Sequence, residues 1–382
     1  MSKKYLLAPG PTPIPEEARL AMARSIIHHR GPEFREVFAD VRARLAWLFE
    51  TESPVLTLTA SGTGTFEAAM INFTRRADTI LCIGGGKFGE RWAEVGRAYG
   101  MNVVELGVEW GKSVRPEQVA QALAANPGCT LVTLTASETS TGVMHPVGEI
   151  AKVVRAHSNA LFAVDAITAL GVHKLPMDAL GVDIMVAGSQ KAFGIPPGIG
   201  FVAANPRAWE RAERSDHARY YFDLVREKKK QLGDQTAFTP GITQIIAAQV
   251  VLKMMMEEGR EALIERHRLN AEATRAGARA LGLSLLAESP SDAVSAIILP
   301  DGFSAPELVR IMGERYQATI AGGQDDLKPR VIRIGHIGFF ERSDILTALS
   351  ILELALADLG MEVESGVALR AAQQVYAKAH SS

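Results

Sequence analysis

Short apolar runs alternate with longer amphipathic segments between residues 54 and 204. The runs that read as strands lie at residues 54–60, 79–83, 102–108, 130–136, 161–166, 183–188 and 198–204. The segments between them, such as GERWAEVGRAYG and VGEIAKVVRAHS, carry apolar residues near helical spacing. Strands that alternate with helices favour a mainly parallel sheet covered on both faces. The pattern therefore predicts an α/β domain with a seven-stranded sheet, whose ligands bind beyond the carboxyl ends of the strands.

The pattern changes after residue 245. A long helical stretch at 243–282 leads into the strand candidates VSAIILP and RVIRIGHIG and then a helix at 342–360. This order predicts a smaller α+β domain attached through a linking helix. We divide the chain into an N-terminal segment at 1–15, a large domain at 16–245 and a small C-terminal domain at 246–382.

Composition and charge narrow the possible partners. The chain has 382 residues, of which 47% are hydrophobic and 22% charged, and its net charge is −2. This balance gives no reason to expect nucleic acid or an anionic membrane as a partner. The two cysteines, Cys82 and Cys129, cannot supply a four-cysteine zinc site, and we expect no metal. Because no run approaches a membrane span or a signal-peptide core, we expect a cytoplasmic protein.

A glycine-rich turn follows the second predicted strand. Gly84, Gly86 and Gly89 in GGGKFG have the G-x-G-x-x-G spacing of a dinucleotide-binding turn, and Glu105 ends the next strand candidate. Such a turn holds a pyrophosphate at the N-terminus of a helix. One hypothesis is therefore an NAD-dependent dehydrogenase that uses the GGGKFG turn.

Three other predicted strands end in residues that carry chemistry. Small and hydroxyl residues at 61–65 open a helix after the first strand, as either a phosphate site or a simple N-cap. Asp165 ends the fifth strand, where a carboxylate is costly unless it meets a cation, whether a ligand or a structural ion-pair partner. Lys191 follows the sixth strand amid small residues. Desolvation there lowers the pKa of a lysine and suits it to form a Schiff base.

Together these features are what pyridoxal 5′-phosphate needs from a protein. Its phosphate requires an anion site, its ring nitrogen a carboxylate and its aldehyde a lysine. A nicotinamide cofactor needs no such lysine. The residues therefore favour pyridoxal phosphate over NAD.

Several motifs resemble those of the class V aminotransferases of fold type I, and are most similar to the alanine–glyoxylate and serine–pyruvate branch. The motifs are LLAPGPTPIPEEARLAMA, HHRGPEF, ASGTGTFEAAM, ASETSTGVMHP, VDAITALGVHKLPMD, AGSQKAFGIPPGIGF and RIGHIG. They span nearly the whole chain. The resemblance implies the fold type I architecture, pyridoxal-phosphate-dependent amino transfer, and a homodimer with its active site at the subunit interface.

The resemblance also implies roles for individual residues. Lys191 would form the Schiff base and Asp165 would hold the pyridine nitrogen. The other implied cofactor contacts are Thr63, Gly64, Thr65 and Gln190 at the phosphate, Phe88 stacked on the ring, Ile167 under it, Thr139 near its phenolic oxygen, and Thr239 from the neighbouring subunit. Gly10 and Arg333 would hold the substrate carboxylate. This chain has Thr236 where relatives often have a tyrosine that also reaches the partner's phosphate.

The loop at residues 322–326 bears on the substrate. Its sequence GGQDD lacks a second basic residue for a dicarboxylate, which favours alanine or serine as donor and glyoxylate or pyruvate as acceptor. Aspartate or phosphoserine as donor remains an alternative. A cysteine desulfurase would need a reactive cysteine, and the segment AGGQDDLKPR has none. The NAD-dependent dehydrogenase is the alternative from a different enzyme class.

Overall fold

The computed structural model describes residues 3–381 and shows a mixed α/β protein with a large seven-stranded sheet, a smaller four-stranded sheet and two pairs of short strands. The strands are β1 (Tyr5–Leu6), β2 (Val55–Leu58), β3 (Thr79–Ile83), β4 (Asn102–Leu106), β5 (Cys129–Thr135), β6 (Ser137–Glu138), β7 (Val143–Met144), β8 (Leu161–Asp165), β9 (Ile184–Gly188), β10 (Gly200–Ala204), β11 (Ser284–Leu285), β12 (Val294–Ile298), β13 (Ala318–Thr319), β14 (Ala321–Gly322) and β15 (Val331–Gly335).

Helices pack around the seven-stranded and the four-stranded sheet. They are α1 (Glu16–Met22), α2 (Pro32–Phe49), α3 (Gly62–Phe73), α4 (Lys87–Ala98), α5 (Pro116–Ala125), α6 (Val147–His157), α7 (Met177–Leu180), α8 (Pro206–Ala212), α9 (Leu224–Gln231), α10 (Ile242–Glu258), α11 (Arg260–Ala280), α12 (Ala305–Tyr316), α13 (Arg342–Asp358) and α14 (Val367–Ser381). A short 3-10 helix spans Asp325–Leu327.

The large sheet contains the seven strands predicted from the apolar runs, in the order β2-β10-β9-β8-β5-β3-β4. Strand β10 is antiparallel to both of its neighbours, and the other pairs are parallel. The predicted fold class is confirmed. Since β2 and β9 both run opposite to β10, their carboxyl ends lie at the same edge as that of β8.

The central strands of the large sheet are apolar on both sides because helices cover both faces of the sheet. Along β8, Phe162 and Val164 pack in the core on one face, and Leu161 and Ala163 pack in the core on the other. Successive side chains of a strand point to opposite faces, so a buried parallel strand needs apolar residues at consecutive positions. The unbroken apolar runs of the sequence have this cause.

The smaller sheet has four strands in the order β11-β12-β15-β14 and packs against α11, α12 and α13. The N-terminal strand β1 pairs in parallel with β13, and Leu7 lies in the core of this smaller unit. The sequence pattern did not predict α14, which packs on α11 with Tyr376 donating a hydrogen bond to Asn270 Oδ1 at 2.9 Å.

The predicted long helical stretch is two helices in the structure. Gly259 lies between α10 and α11 with φ at 83°, a backbone conformation that glycine adopts without the steric cost of a side chain. Helix α10 packs with the core of the large sheet through residues such as Ile245 and Leu252. The domain boundary predicted at residue 245 therefore falls inside α10. Within residues 3–381, no helix is long and apolar enough to cross a membrane.

Candidate active site

A cavity of about 270 Å³ lies where β2, β8 and β9 end at the shared edge of the large sheet. Eight of the residues predicted for the site line it: Gly10, Thr63, Phe88, Thr139, Asp165, Ile167, Gln190 and Lys191. Gly64, Thr65, Thr239 and Arg333 are not among its lining residues. The topology therefore brings most of the predicted set together from distant parts of the chain.

Lys191 is the nucleophilic amine of this cavity. It follows β9, is 8% exposed, and its Nζ donates a hydrogen bond to the Pro9 carbonyl at 2.8 Å. Burial, with a smaller effect from the positive charge of Arg333, lowers the pKa of Lys191 to about 8. An amine with this pKa is partly neutral near neutral pH, which is the form that attacks an aldehyde.

Asp165 ends β8 and is 4% exposed. Its Oδ1 accepts a hydrogen bond from the Ile167 N–H at 2.8 Å, and its Oδ2 accepts one from the Thr135 hydroxyl at 3.3 Å. Burial raises the pKa of Asp165 to about 7, and no ion pair to it is found in the part of the chain that the structure describes. A positively charged N–H group from a ligand would offset this desolvation.

The N-terminus of α3 faces the same cavity. Its first N–H groups, of Gly62, Thr63 and Gly64, come before the first intrahelical bond, and no side chain caps them among residues 3–381. A Cβ on Gly62 would lie 2.4 Å from Ile167 Cδ1, so glycine lets the helix start close to β8. Free N–H groups at a helix N-terminus bind anions such as phosphate.

Two predicted phosphate contacts have distinct geometries. The Thr65 hydroxyl is fully buried and donates to the Gly62 carbonyl at 2.6 Å, so it points back into α3 rather than into the cavity. The Gln190 side-chain oxygen is buried and has no hydrogen-bond partner within the described residues. A buried amide without a partner is costly unless a ligand completes it. Phosphate oxygens accept hydrogen bonds, so the Gln190 amide N–H₂, rather than this oxygen, would donate to a phosphate held at the N-terminus of α3.

Thr239 and Thr236 lie away from the Lys191 cavity of their own chain. Both line a separate small cleft with Thr57 and Tyr221. The Thr236 hydroxyl donates to the Phe238 carbonyl at 2.6 Å. The contact predicted from Thr239 to the phosphate of a neighbouring subunit stays a prediction.

The two residues predicted for the substrate carboxylate both lie near Lys191. A Cβ on Gly10 would be 2.6 Å from Lys191 Nζ, so a side chain there would displace the amine. Arg333 is 7% exposed; its Nε donates to the Gly322 carbonyl at 2.9 Å and its Nη1 to the Thr139 carbonyl at 3.0 Å. Within residues 3–381, its Nη2 makes no hydrogen bond.

The GGGKFG turn is filled by a carboxylate of the chain itself. Glu138 Oε2 accepts hydrogen bonds from the Phe88 and Gly89 N–H groups at 3.0 and 2.9 Å, at the N-terminus of α4. Its Oε1 accepts from the N–H and hydroxyl of Ser140 at 3.0 and 2.6 Å. The donors that would hold a pyrophosphate are therefore already used, and the dinucleotide hypothesis loses its site.

The sequence analysis missed several residues of this region. They are Pro9, whose carbonyl holds Lys191; Thr168, whose hydroxyl lies 2.8 Å from that of Thr139; Arg91, which lines the cavity; and Glu138. Glu138 had a signal, since it is an acid amid the small polar residues of ASETSTG. For Arg91 the only signal in the sequence was its position one helical turn after Phe88.

This fold, with a buried lysine, a buried acid and a helix N-terminus around one cavity, defines a pyridoxal-phosphate-dependent enzyme of fold type I. The chain belongs to the class-V aminotransferases, whose family model matches residues 5–332. It is therefore a transaminase that uses pyridoxal phosphate. No dehydrogenase is needed to explain the glycine-rich turn.

Known relatives match nearly the whole length of the chain. It is 44% identical to the soluble hydrogenase 42 kDa subunit of Anabaena cylindrica, over 98% of this chain and 99% of that one. It is 32% identical to the serine–glyoxylate aminotransferase of Methylorubrum extorquens, over 97% and 95% of the two chains. Among solved structures, an aspartate aminotransferase of subgroup IV from Thermus thermophilus superposes with a TM-score of 0.87 at 34% identity, over 93% and 99%.

Proposed function

We propose that this protein transfers the amino group of alanine or serine to glyoxylate or pyruvate, as a cytoplasmic homodimer. The observation that carries the proposal is the convergence of Lys191, Asp165 and the N-terminus of α3 on one cavity. The proposal places the cofactor in the large domain, residues 16–245, and assigns the small domain, residues 246–382, to the substrate side through Arg333. The serine–glyoxylate relative supports glyoxylate as the acceptor.

Lys191 has two roles in this proposal. Its Nζ would bind the aldehyde of pyridoxal phosphate, which when bound supplies an electron sink for the carbon that loses a proton. Once the amino donor has displaced it, the free Nζ would take the proton from the substrate Cα as a general base. The lowered pKa of Lys191, about 8, makes its neutral form accessible near neutral pH. The Pro9 carbonyl, 2.8 Å from Nζ, orients the amine toward the cavity.

Asp165 would hold a proton on the pyridine nitrogen. Its Oδ1 is fixed by the Ile167 N–H, and the Thr135 hydroxyl donates to its Oδ2, so its position is set by β8 and its neighbour β5. The protonated ring would give Asp165 the positive partner that the described chain does not supply. Phe88 and Ile167 would enclose the ring from either side, since both line the cavity.

Arg333 and Gly10 define the substrate end in this proposal. Nη2 of Arg333 would bind the α-carboxylate that donor and acceptor share, in a charge-assisted hydrogen bond. Among residues 3–381, Arg91 and Lys191 are the cationic side chains that line the cavity. Arg91 contacts Thr63 on the α3 side and Lys191 would be taken by the cofactor, so the described lining of the cavity offers no further cation for a side-chain carboxylate of the substrate. This supports a small donor over aspartate.

A panel of substrates tests the proposal. The holoenzyme is given alanine, serine, aspartate or phosphoserine with glyoxylate or pyruvate, and each half-reaction is followed by the cofactor absorbance. Alanine or serine with glyoxylate should give the highest specificity constant. Lys191→Ala should abolish covalent retention of the cofactor after borohydride reduction. Preference for aspartate would replace the donor assignment, and a protein that binds no cofactor would refute the function.

The substrate carboxylate site is tested by Arg333→Lys. A lysine keeps the charge but loses the planar guanidinium, so both half-reactions should slow by about tenfold to a hundredfold in specificity constant. Arg330→Lys is the matched control, because Arg330 is exposed and precedes the same strand. If Arg333→Lys changes neither half-reaction, the carboxylate is bound elsewhere.

A further inference from the structure

Arg91 is a cation of the cavity with no assigned role. It lies in α4 one turn after Phe88, and its guanidinium carbon is 4.8 Å from the centre of the Phe88 ring. Its Nη1 donates a hydrogen bond to the Thr63 hydroxyl oxygen at 3.2 Å. Arg91 thus contacts both the Phe88 ring on α4 and Thr63 in the first turn of α3.

The hydrogen bond from Arg91 fixes how the Thr63 hydroxyl is used. A hydroxyl oxygen that accepts from a guanidinium keeps its own hydrogen for another acceptor. Thr63 lines the cavity beside the free N–H groups of α3, so its hydroxyl is available to an acceptor bound beside them. An anion bound there would meet N–H groups, a hydroxyl hydrogen and the nearby guanidinium.

The charge of Arg91 has no partner in the described part of the chain. Arg97, on the same helix, pairs with Glu105, and Lys87 at the start of that helix pairs with Asp325. No carboxylate forms an ion pair with Arg91 among residues 3–381. An arginine that lines a cavity without an ion-pair partner is suited to bind phosphate, which takes two hydrogen bonds from a guanidinium.

We propose that Arg91 is a further binding residue for the cofactor phosphate, acting with the Thr63 hydroxyl and the N-terminus of α3. The proposal rests on the proposed function, because it takes the ligand to be a phosphorylated pyridine cofactor. Arg91 would supply positive charge at the phosphate and would also hold the Phe88 ring against the cavity. It would thereby join the two walls of the site, α3 and α4, through a single side chain.

The test compares a phosphorylated ligand with its dephosphorylated form. Apoenzyme is titrated calorimetrically with pyridoxamine 5′-phosphate and with pyridoxamine, neither of which forms a covalent bond to Lys191. Arg91→Met removes the charge and keeps most of the stem. It should raise the Kd for pyridoxamine phosphate about tenfold, as expected for one charge-assisted contact. The Kd for pyridoxamine should change less than about twofold.

Two further variants sharpen the result. Arg97→Met removes a charge from the same helix at an exposed ion pair and should leave both dissociation constants unchanged. Arg91→Lys keeps the charge and should restore part of the affinity for pyridoxamine phosphate. A wild-type protein that binds neither ligand would refute the proposed function itself. The phosphate role of Arg91 alone is overturned if the wild type binds pyridoxamine phosphate and Arg91→Met binds it equally well. The same holds if Arg91→Met raises the Kd of both ligands by the same factor.

Discussion

The N-termini of α3 and α4 are built alike and are satisfied differently. Each helix follows a strand of the large sheet through a turn of small residues, and residues at both N-termini line the same cavity. At α4 the buried carboxylate of Glu138 accepts from the N–H groups of Phe88 and Gly89. At α3 no side chain of the described chain caps the first N–H groups. One N-terminus is completed by a side chain of the protein, and the other has no side-chain cap among the described residues.

The glycines of the two turns therefore make room for different side chains. A Cβ on Gly86 would lie 2.3 Å from Glu138 Cγ, so glycine makes room for the internal carboxylate. A Cβ on Gly62 would instead collide with Ile167, which lines the cavity. Glycine spacing shows that something approaches the backbone closely. It does not show whether that neighbour is a ligand or a residue of the same chain.

The largest effect on stability should come from Glu138→Ala. This change leaves the Phe88, Gly89 and Ser140 donors without their acceptor in a buried place, and should lower the free energy of unfolding by about 3 kcal/mol. Urea unfolding of the apoenzyme measures it. Glu138→Gln, which keeps one acceptor oxygen, should cost less. Ser61→Ala at α3 is the matched control and should change stability by less than about 0.5 kcal/mol, because Ser61 makes no capping bond.

Equal losses from Glu138→Ala and Ser61→Ala would contradict the distinction between the two helix starts. A Glu138→Ala variant that fails to fold leaves Glu138→Gln to decide the question. A stability equal to that of the wild type in the Gln variant at every pH would show that the charge of Glu138 adds nothing to the N-terminus of α4.

Asp165→Asn tests the buried acid that lines the cavity beside the N-terminus of α3. Burial raises the pKa of Asp165 from 3.8 in the unfolded chain to about 7 in the fold. Its contribution to stability is therefore full below pH 3.8 and is lost as pH rises toward 7. Between pH 5 and pH 8 the wild-type apoenzyme should lose about 2–3 kcal/mol from this group, and the Asn variant should not.

Urea midpoints at several pH values, for the two proteins side by side, measure this difference. Saturation with pyridoxal phosphate should reduce the pH dependence of the wild type, because the ring N–H would stabilise the ionised carboxylate. Parallel curves for wild type and Asp165→Asn would mean that Asp165 is already ionised and satisfied in the fold.

Gly86→Ala should have an intermediate effect. Its methyl group would displace Glu138 and the Ser140 hydroxyl, and should lower the free energy of unfolding by about 1–2 kcal/mol. Gly107→Ala is the control, since no atom lies within 4 Å of the added carbon. The same denaturation assay applies to both. A Gly86→Ala variant as stable as Gly107→Ala would show that Glu138 adapts to the methyl group at no cost.

Thr63→Val should have the smallest effect on the protein without ligand, within about 0.5 kcal/mol, because the hydroxyl lies at the cavity. With saturating pyridoxal phosphate, the gain in stability should be about 1 kcal/mol smaller than in the wild type. Thermal unfolding with and without the cofactor gives both values. An unchanged gain would remove Thr63 from the phosphate site.

The sheet could be predicted because each of its strands carries a local signal. Apolar runs bounded by turns gave the seven strands, and Asp165 and Lys191 stood out as charges at strand ends. The site contacts that join distant segments had no such signal. Glu138 reaches α4 from 50 residues away, and the Pro9 carbonyl reaches Lys191 from 182 residues away. The break at Gly259 was missed because the residues on both sides continue a helical pattern.

Residues 5–12 connect the two halves of the molecule. Strand β1 pairs with β13, and the Leu7 carbonyl accepts a hydrogen bond from the Gly335 N–H of β15 at 2.8 Å, so this segment is attached to the smaller sheet. Two residues later the Pro9 carbonyl holds Nζ of Lys191, and Thr12 Oγ1 donates to the Lys191 carbonyl at 2.9 Å. Any displacement of the smaller sheet would therefore pull on the acceptor of the reactive amine. A shift of the smaller sheet relative to the large one would therefore change the position of the Pro9 carbonyl, and with it the orientation of the Lys191 amine.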